Sequence, residues 1–108
     1  MTPEEFVKEF YIEKQSLVDT YFNSDTKTDV ASLISKLNLN DEGIKILRLI
    51  LNSALRDSLY TILLGLDGAA SIGTKQTLYK IFDEENNELT GGEIENFAYE
   101  YFQNNKDD

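Results

Sequence analysis

Hydrophobic residues recur at helical spacing in four stretches of this chain. In the first, Phe6, Phe10, Leu17 and Tyr21 share a face, with Val7, Val18 and Phe22 beside them. Apolar positions three and four apart fall on one side of a helix. The preceding Thr2-Pro3-Glu4-Glu5 is a start signal. Threonine caps, proline suits the first helical position, and a Glu three residues after the cap completes a capping box. The spacing predicts a helix over 3–22. Asn23-Ser24-Asp25-Thr26 is a turn cluster. Val30, Leu33, Ile34 and Leu37 then predict a short helix over 28–37.

Asn40-Asp41-Glu42 opens the third stretch. It places a capping amide and two acids at the positive end of a helix dipole. The apolar pattern continues to Leu66 and, at 100° per residue, covers most of the circumference. Lys45, Arg48, Asn52 and Arg56 share the one narrow polar arc. A helix apolar nearly all round is expected to be the buried, central one. On that reading its basic stripe faces solvent, with neutralisation of distant acids or a small anion site as the alternatives. Over 41–66 it would be about 40 Å long, unless it breaks near Asn52-Ser53. Gly68 is placed to stop it in the left-handed conformation. The small residues of 67–73 predict a loop packed closely against a neighbour.

Residues 74–90 read less clearly. Alternation of Tyr79 and Ile81 with Lys80 predicts a strand. Glu84-Glu85-Asn86-Asn87 would turn the chain and Glu88-Leu89-Thr90 would return it, because Asn tolerates the left-handed conformations of hairpin turns. The helical alternative covers 74–82 with Thr74 as cap. After Gly91-Gly92, the positions of Ile94, Phe97, Ala98, Tyr101 and Phe102 predict a helix over 93–103. Residues 103–108 are expected to fray as an acidic tail. The expected fold is mainly α. It is one small domain over 1–108 with about four helices and a short β-hairpin between the central and C-terminal helices.

Composition narrows the chemistry. The chain has 108 residues and contains no Cys, His or Trp. Disulfides, thiolate nucleophiles and sulfur-ligated zinc are therefore excluded. So are Ser–His and Cys–His nucleophile pairs. Carboxylate pairs such as Glu84 and Glu88 carry no sign of convergence, and Gly91-Gly92 lacks the lysine of a phosphate loop. The expectation is a protein that is not an enzyme and has no cofactor. No basic, apolar leader is visible, and the uninterrupted apolar runs fall well short of the roughly 20 residues that span a bilayer. A cytoplasmic protein that binds no membrane is expected.

Charge supplies the strongest functional signal. The net charge is −10, and residues 83–108 hold nine acids against one base, a balance of −8. Residues 1–82 hold eleven acids and nine bases, a balance of −2. An acidic surface repels nucleic acid and speeds encounter with basic proteins. In charge and size the chain resembles small bacterial immunity and inhibitor proteins. That likeness implies capture of a basic protein partner, with Glu84, Glu85, Glu88, Glu95 and Tyr99 as the contact residues. A face tuned only for solubility, on a structural domain with no ligand, is the plainer alternative.

Asp83, Glu85 and Asn87, followed by Leu89, Glu93 and Ile94, carry a second signal. The stretch resembles an EF-hand calcium loop in which Asp83, Glu85, Asn87 and Glu93 would be ligands. The turn glycine of that loop is missing, which shortens the distance from first to last ligand by one residue. A degenerate metal-binding module is therefore the alternative function. The pattern says nothing about oligomeric state.

Overall fold

The computed structural model describes residues 1–104. It contains four helices: α1 (Pro3–Tyr21), α2 (Asp29–Lys36), α3 (Asp41–Leu66) and α4 (Glu93–Phe102). Their limits lie close to those read from the sequence because the caps are local. Thr2 Oγ1 accepts from the Glu5 N–H at 3.1 Å, and Glu5 Oε1 accepts from the Thr2 N–H at 2.9 Å. Thr28 Oγ1 accepts from the Ala31 N–H at 3.1 Å, and Asn40 Oδ1 from the Gly43 N–H at 2.8 Å. Each satisfies a helix N–H that lacks an intrahelical partner. At the end of α3 Gly68 adopts φ +78°. The Ala69 N–H reaches the Leu64 carbonyl at 2.9 Å and the Gly68 N–H reaches that of Gly65 at 3.1 Å. These are the paired bonds of a Schellman stop.

The core lies where α4 packs against both α1 and α3. Val7, Leu63, Leu89, Ile94, Ala98 and Phe102 are buried there. Phe6, Phe10, Tyr11, Leu59, Tyr60, Ile81, Phe97 and Tyr101 surround them. The loop after α3 packs closely, as its small residues require. A Cβ on Gly65 would stand 2.4 Å from Ile72 Cγ1, and one on Gly68 2.5 Å from Leu78 Cδ2. Helix α2 packs only on α1. The result is elongated, 47 × 26 × 26 Å. Its radius of gyration is 16.1 Å, against about 13 Å for a compact domain of this length.

The buried, central role expected for α3 is overturned. Only 17% of its most apolar 18-residue window is buried. Leu63 joins the core, but Leu49 is 60% and Ile50 55% exposed, and Ile46 is exposed beside them. The physical reason is coverage. Helix α4 has ten residues and α3 has 26, so at 1.5 Å per residue α4 covers less than half of α3. The polar arc is split: Lys45 and Arg48 are exposed as expected, whereas Arg56 and Asn52 are not. Asn52 is buried, Arg56 is half-buried, and Arg48 pairs with Asp19 of α1 and lies over the Phe22 ring. Only Lys45 and part of Arg48 remain in water on that arc. By length and composition α3 is also apolar enough to cross a membrane, which the short uninterrupted runs did not signal.

The expected β-hairpin over 74–90 is not formed. No strand is present among the described residues, and the chain here makes two isolated bridges, Ile72 with Lys75 and Phe82 with Glu88. Around the second bridge the Leu89 N–H reaches the Ile81 carbonyl at 2.8 Å and the Asp83 N–H that of Asn87 at 3.1 Å. Side chains take other N–H groups that a longer ladder would use. The Ile81 N–H donates to Thr90 Oγ1 at 3.1 Å, and Asp83 gathers the N–H groups of the turn. The helical alternative over 74–82 is absent as well. Of the tail expected to fray, 105–108 lie outside the described residues. Gln103 and Asn104 donate their N–H groups to the Tyr99 carbonyl.

Candidate functional site

Two carboxylates fix the acidic end of the molecule. Asp67, the C-cap residue of α3, reaches across to the start of α4. Its Oδ1 accepts from the N–H groups of Gly91 and Gly92, and its Oδ2 from that of Glu95, all at 2.9 Å. The α4 N-cap, Gly92, has φ +112° and no side chain to cap with. Asp67 therefore supplies the missing cap from a distant part of the chain. A carboxylate there is favoured by the helix dipole as well as by hydrogen bonds.

Asp83 organises the turn. Its Oδ1 accepts from the Glu85 and Asn87 N–H groups at 2.9 Å. Its Oδ2 accepts from Asn87 Nδ2 at 3.0 Å and from the Met1 ammonium at 2.7 Å. The Met1 ammonium foremost, then the Asn87 amide and backbone N–H, hold this carboxyl well below the usual range. Asn86 completes the turn at φ +65°, a conformation that Asn tolerates.

On this frame Glu84, Glu85, Glu88, Glu95 and Tyr99 are all exposed. Glu85 stands beside the start of α1, where, after the dominant bond to Asp83 and together with Glu5, it helps raise the pKa of the Met1 ammonium. Glu95 and Tyr99 stand beside α3. Burial first, and then Glu95 and Tyr99, push the Tyr60 hydroxyl up. Glu88 Oε2 accepts from Thr90 Oγ1 at 3.2 Å. From 83 to 104 there are seven acids and no Lys or Arg, so the rim is acidic throughout. Phe82, 51% exposed, and Tyr99, 53% exposed, stand within it. The sequence reading passed over Phe82, although the alternation that puts Ile81 inward puts Phe82 outward.

The proposed metal ligands Asp83, Glu85, Asn87 and Glu93 do not form a cluster. Among the described residues no group of three acidic side chains is placed to hold an ion. Both Asp83 oxygens are engaged within the turn, and Asn87 uses its amide as a donor to one of them.

A different set of polar groups is buried between α1 and α3. Lys14 is fully buried, its Nζ 4.8 Å from the centre of the Tyr11 ring. Burial, and then Arg56, lower its pKa to about 8. Asn52 is buried beside this seam, and Arg56 Nη2 donates to Ser53 Oγ at 3.1 Å. Two hollows of about 280 and 260 Å³ lie further along, at the α2 end. The first is lined by α2, the end of α1 and the start of α3, the second by Val18, Lys45, Leu49 and their neighbours. Neither is lined by a carboxylate of the acidic rim. Compared with known proteins, the chain matches no family model, no curated protein and no solved structure.

Proposed function

We propose that this chain is a non-enzymatic binding protein that captures a basic protein partner through its acidic rim, as an immunity or inhibitor protein would. The observation that carries the reading is the fixed frame. Asp67 and Asp83 make seven hydrogen bonds between them, and these hold Glu84, Glu85, Glu88 and Glu95 in water on ordered backbone. Fixed like charges raise the encounter rate with an oppositely charged surface. Phe82 and Tyr99 add the exposed aromatic anchors that carry binding energy at protein interfaces.

The test is capture from an extract of the source cells at low and high salt. Reversal of Glu84, Glu85, Glu88 and Glu95 to Lys should abolish capture while leaving the helical circular-dichroism signal unchanged. Raised salt should weaken capture by the intact chain, since exposed charges are screened. Capture insensitive to both reversal and salt would sink the reading. Phe82→Ala and Tyr99→Ala should each weaken capture without removing its salt dependence.

A further inference from the structure

The first half of α3 is turned inside out. Its polar arc, Arg48, Asn52 and Arg56, faces α1, where a lysine is already buried. Its apolar residues Ile46, Leu49 and Ile50 face water, and so do Leu33, Leu37 and Leu39 in and after α2. Leu39, between the two sets in the chain, lies against Gly43 in the first turn of α3. We propose that two copies of this chain associate through this arm, α2 and the first half of α3 of each copy meeting those of the other about a two-fold axis.

Three observations select a second copy. The six exposed side chains present on the order of 600 Å² of apolar surface, the upper end of what a monomer leaves in water. Two such faces together can bury up to roughly 1,200 Å², the lower bound of a standard interface. The second observation is charge. Residues 19–50 hold five acids and four bases, whereas the rim at 83–104 holds seven acids and no base. A chain of net charge −10 self-associates with least repulsion through its near-neutral end, and the 47 Å length keeps the two acidic rims apart. The third is the mixture of signs at the edge of the patch, acids Asp41 and Glu42 next to the base Lys45, all exposed. A two-fold interface pairs a surface with itself, so it needs both signs on one patch.

The test is sedimentation equilibrium on the full chain over a range from micromolar to hundreds of micromolar. The intact chain should show twice its 12.3 kDa mass, and Leu33→Glu/Ile50→Glu should return it to one mass unit with an unchanged helical signal. Charge reversal on the acidic rim should leave the dimer intact, which separates this inference from partner capture. A monomeric intact chain overturns the proposal, and its binding to phosphatidylcholine vesicles would then assign the face to lipid. A dimer that survives Leu33→Glu/Ile50→Glu overturns it as well. Should that variant unfold, cross-linking of single-cysteine proteins by a long, flexible bis-maleimide decides, since the two copies of a position need not then lie within disulfide reach. The chain has no cysteine, so Ile46→Cys or Ile50→Cys should cross-link into a dimer and Glu84→Cys should not. Failure of both arm positions to cross-link refutes the interface.

Discussion

Towards its C-terminal end, α3 turns Leu59, Tyr60 and Leu63 to the core and leaves Asp57, Ser58 and Thr61 in water. Towards its N-terminal end the same helix turns Arg48 and Asn52 to α1 and leaves Ile46, Leu49 and Ile50 in water. The local sequence is strongly helical at both ends, so propensity does not separate them. The difference is what lies alongside. Helix α4 and the chain from 67 to 92 cover one end, while α2 turns away from the other. A helix apolar all round is a request for neighbours on every side, and the chain supplies them along only part of its length.

This contrast is open to test, and the largest effect should come from the covered end. Leu63→Ala should cost about 2–5 kcal/mol in urea unfolding, the range for a buried Leu, and the loss should be the same at every protein concentration. Asp67→Ala leaves three N–H groups at the start of α4 without their acceptor. It should cost about 1–3 kcal/mol, and Asp67→Asn should lose less. An Asp67→Ala protein as stable as the parent would show that α4 does not depend on the clamp. Gly65→Ala gains helix propensity but drives a methyl into Ile72. Overpacking should dominate, at about 1–2 kcal/mol, and Ile72→Ala should recover part of the loss.

The seam between the two ends should report through pH. With its pKa near 8 in the folded chain, Lys14 releases its proton there before the unfolded chain does. Between pH 8 and the ordinary lysine value the unfolded state then binds more protons, so stability rises with pH across that window. The Met1 ammonium, whose pKa is raised, acts in the opposite direction, and so do Tyr60 and Tyr101 above their ordinary range. These groups are common to the parent and to Lys14→Met. The difference between the two melting curves should isolate the lysine, rising from pH 8 and flat below it. A difference independent of pH would contradict a lysine charged at the cost of burial. The smallest effect belongs to the arm. Ile50→Ala should change stability by less than about 0.5 kcal/mol in dilute solution and by more as concentration rises, because dimerisation adds to stability by mass action.

Much of the local structure was legible because its signals are short-range. Thr2 with Glu5, Thr28, Asn40 and Gly68 act on residues within five positions, and the helix limits follow from them. Exposure of Glu84, Glu85, Glu88 and Glu95 was legible for the same reason, since charges flanking Leu89 and Ile94 point away from a core. The Asp67 clamp was not legible as a contact, because it spans 24 residues to Gly91. A trace of it was present: Gly91-Gly92 starts a helix with no capping side chain. The hairpin was misread because alternation alone does not reveal that Thr90 and Asp83 side chains take the N–H groups of Ile81, Glu85 and Asn87, so pairing stops at one bridge. Nor did the spacing show that Glu85 lies by Met1 while Tyr99 lies by Tyr60.

By itself the sequence determined four helices, the caps that start α1 and α3, the glycine stop of α3, an acidic last quarter and the absence of Cys and His chemistry. These depend on side-chain type and on spacing within a few turns. Which side of α3 is covered was decided only by the tertiary structure. That outcome depends on the lengths and directions of α2 and α4, set by contacts between residues far apart in the chain. The apolar pattern of α3 fixed how much surface seeks burial, and the packing determined that the half near α2 finds no cover within a single copy.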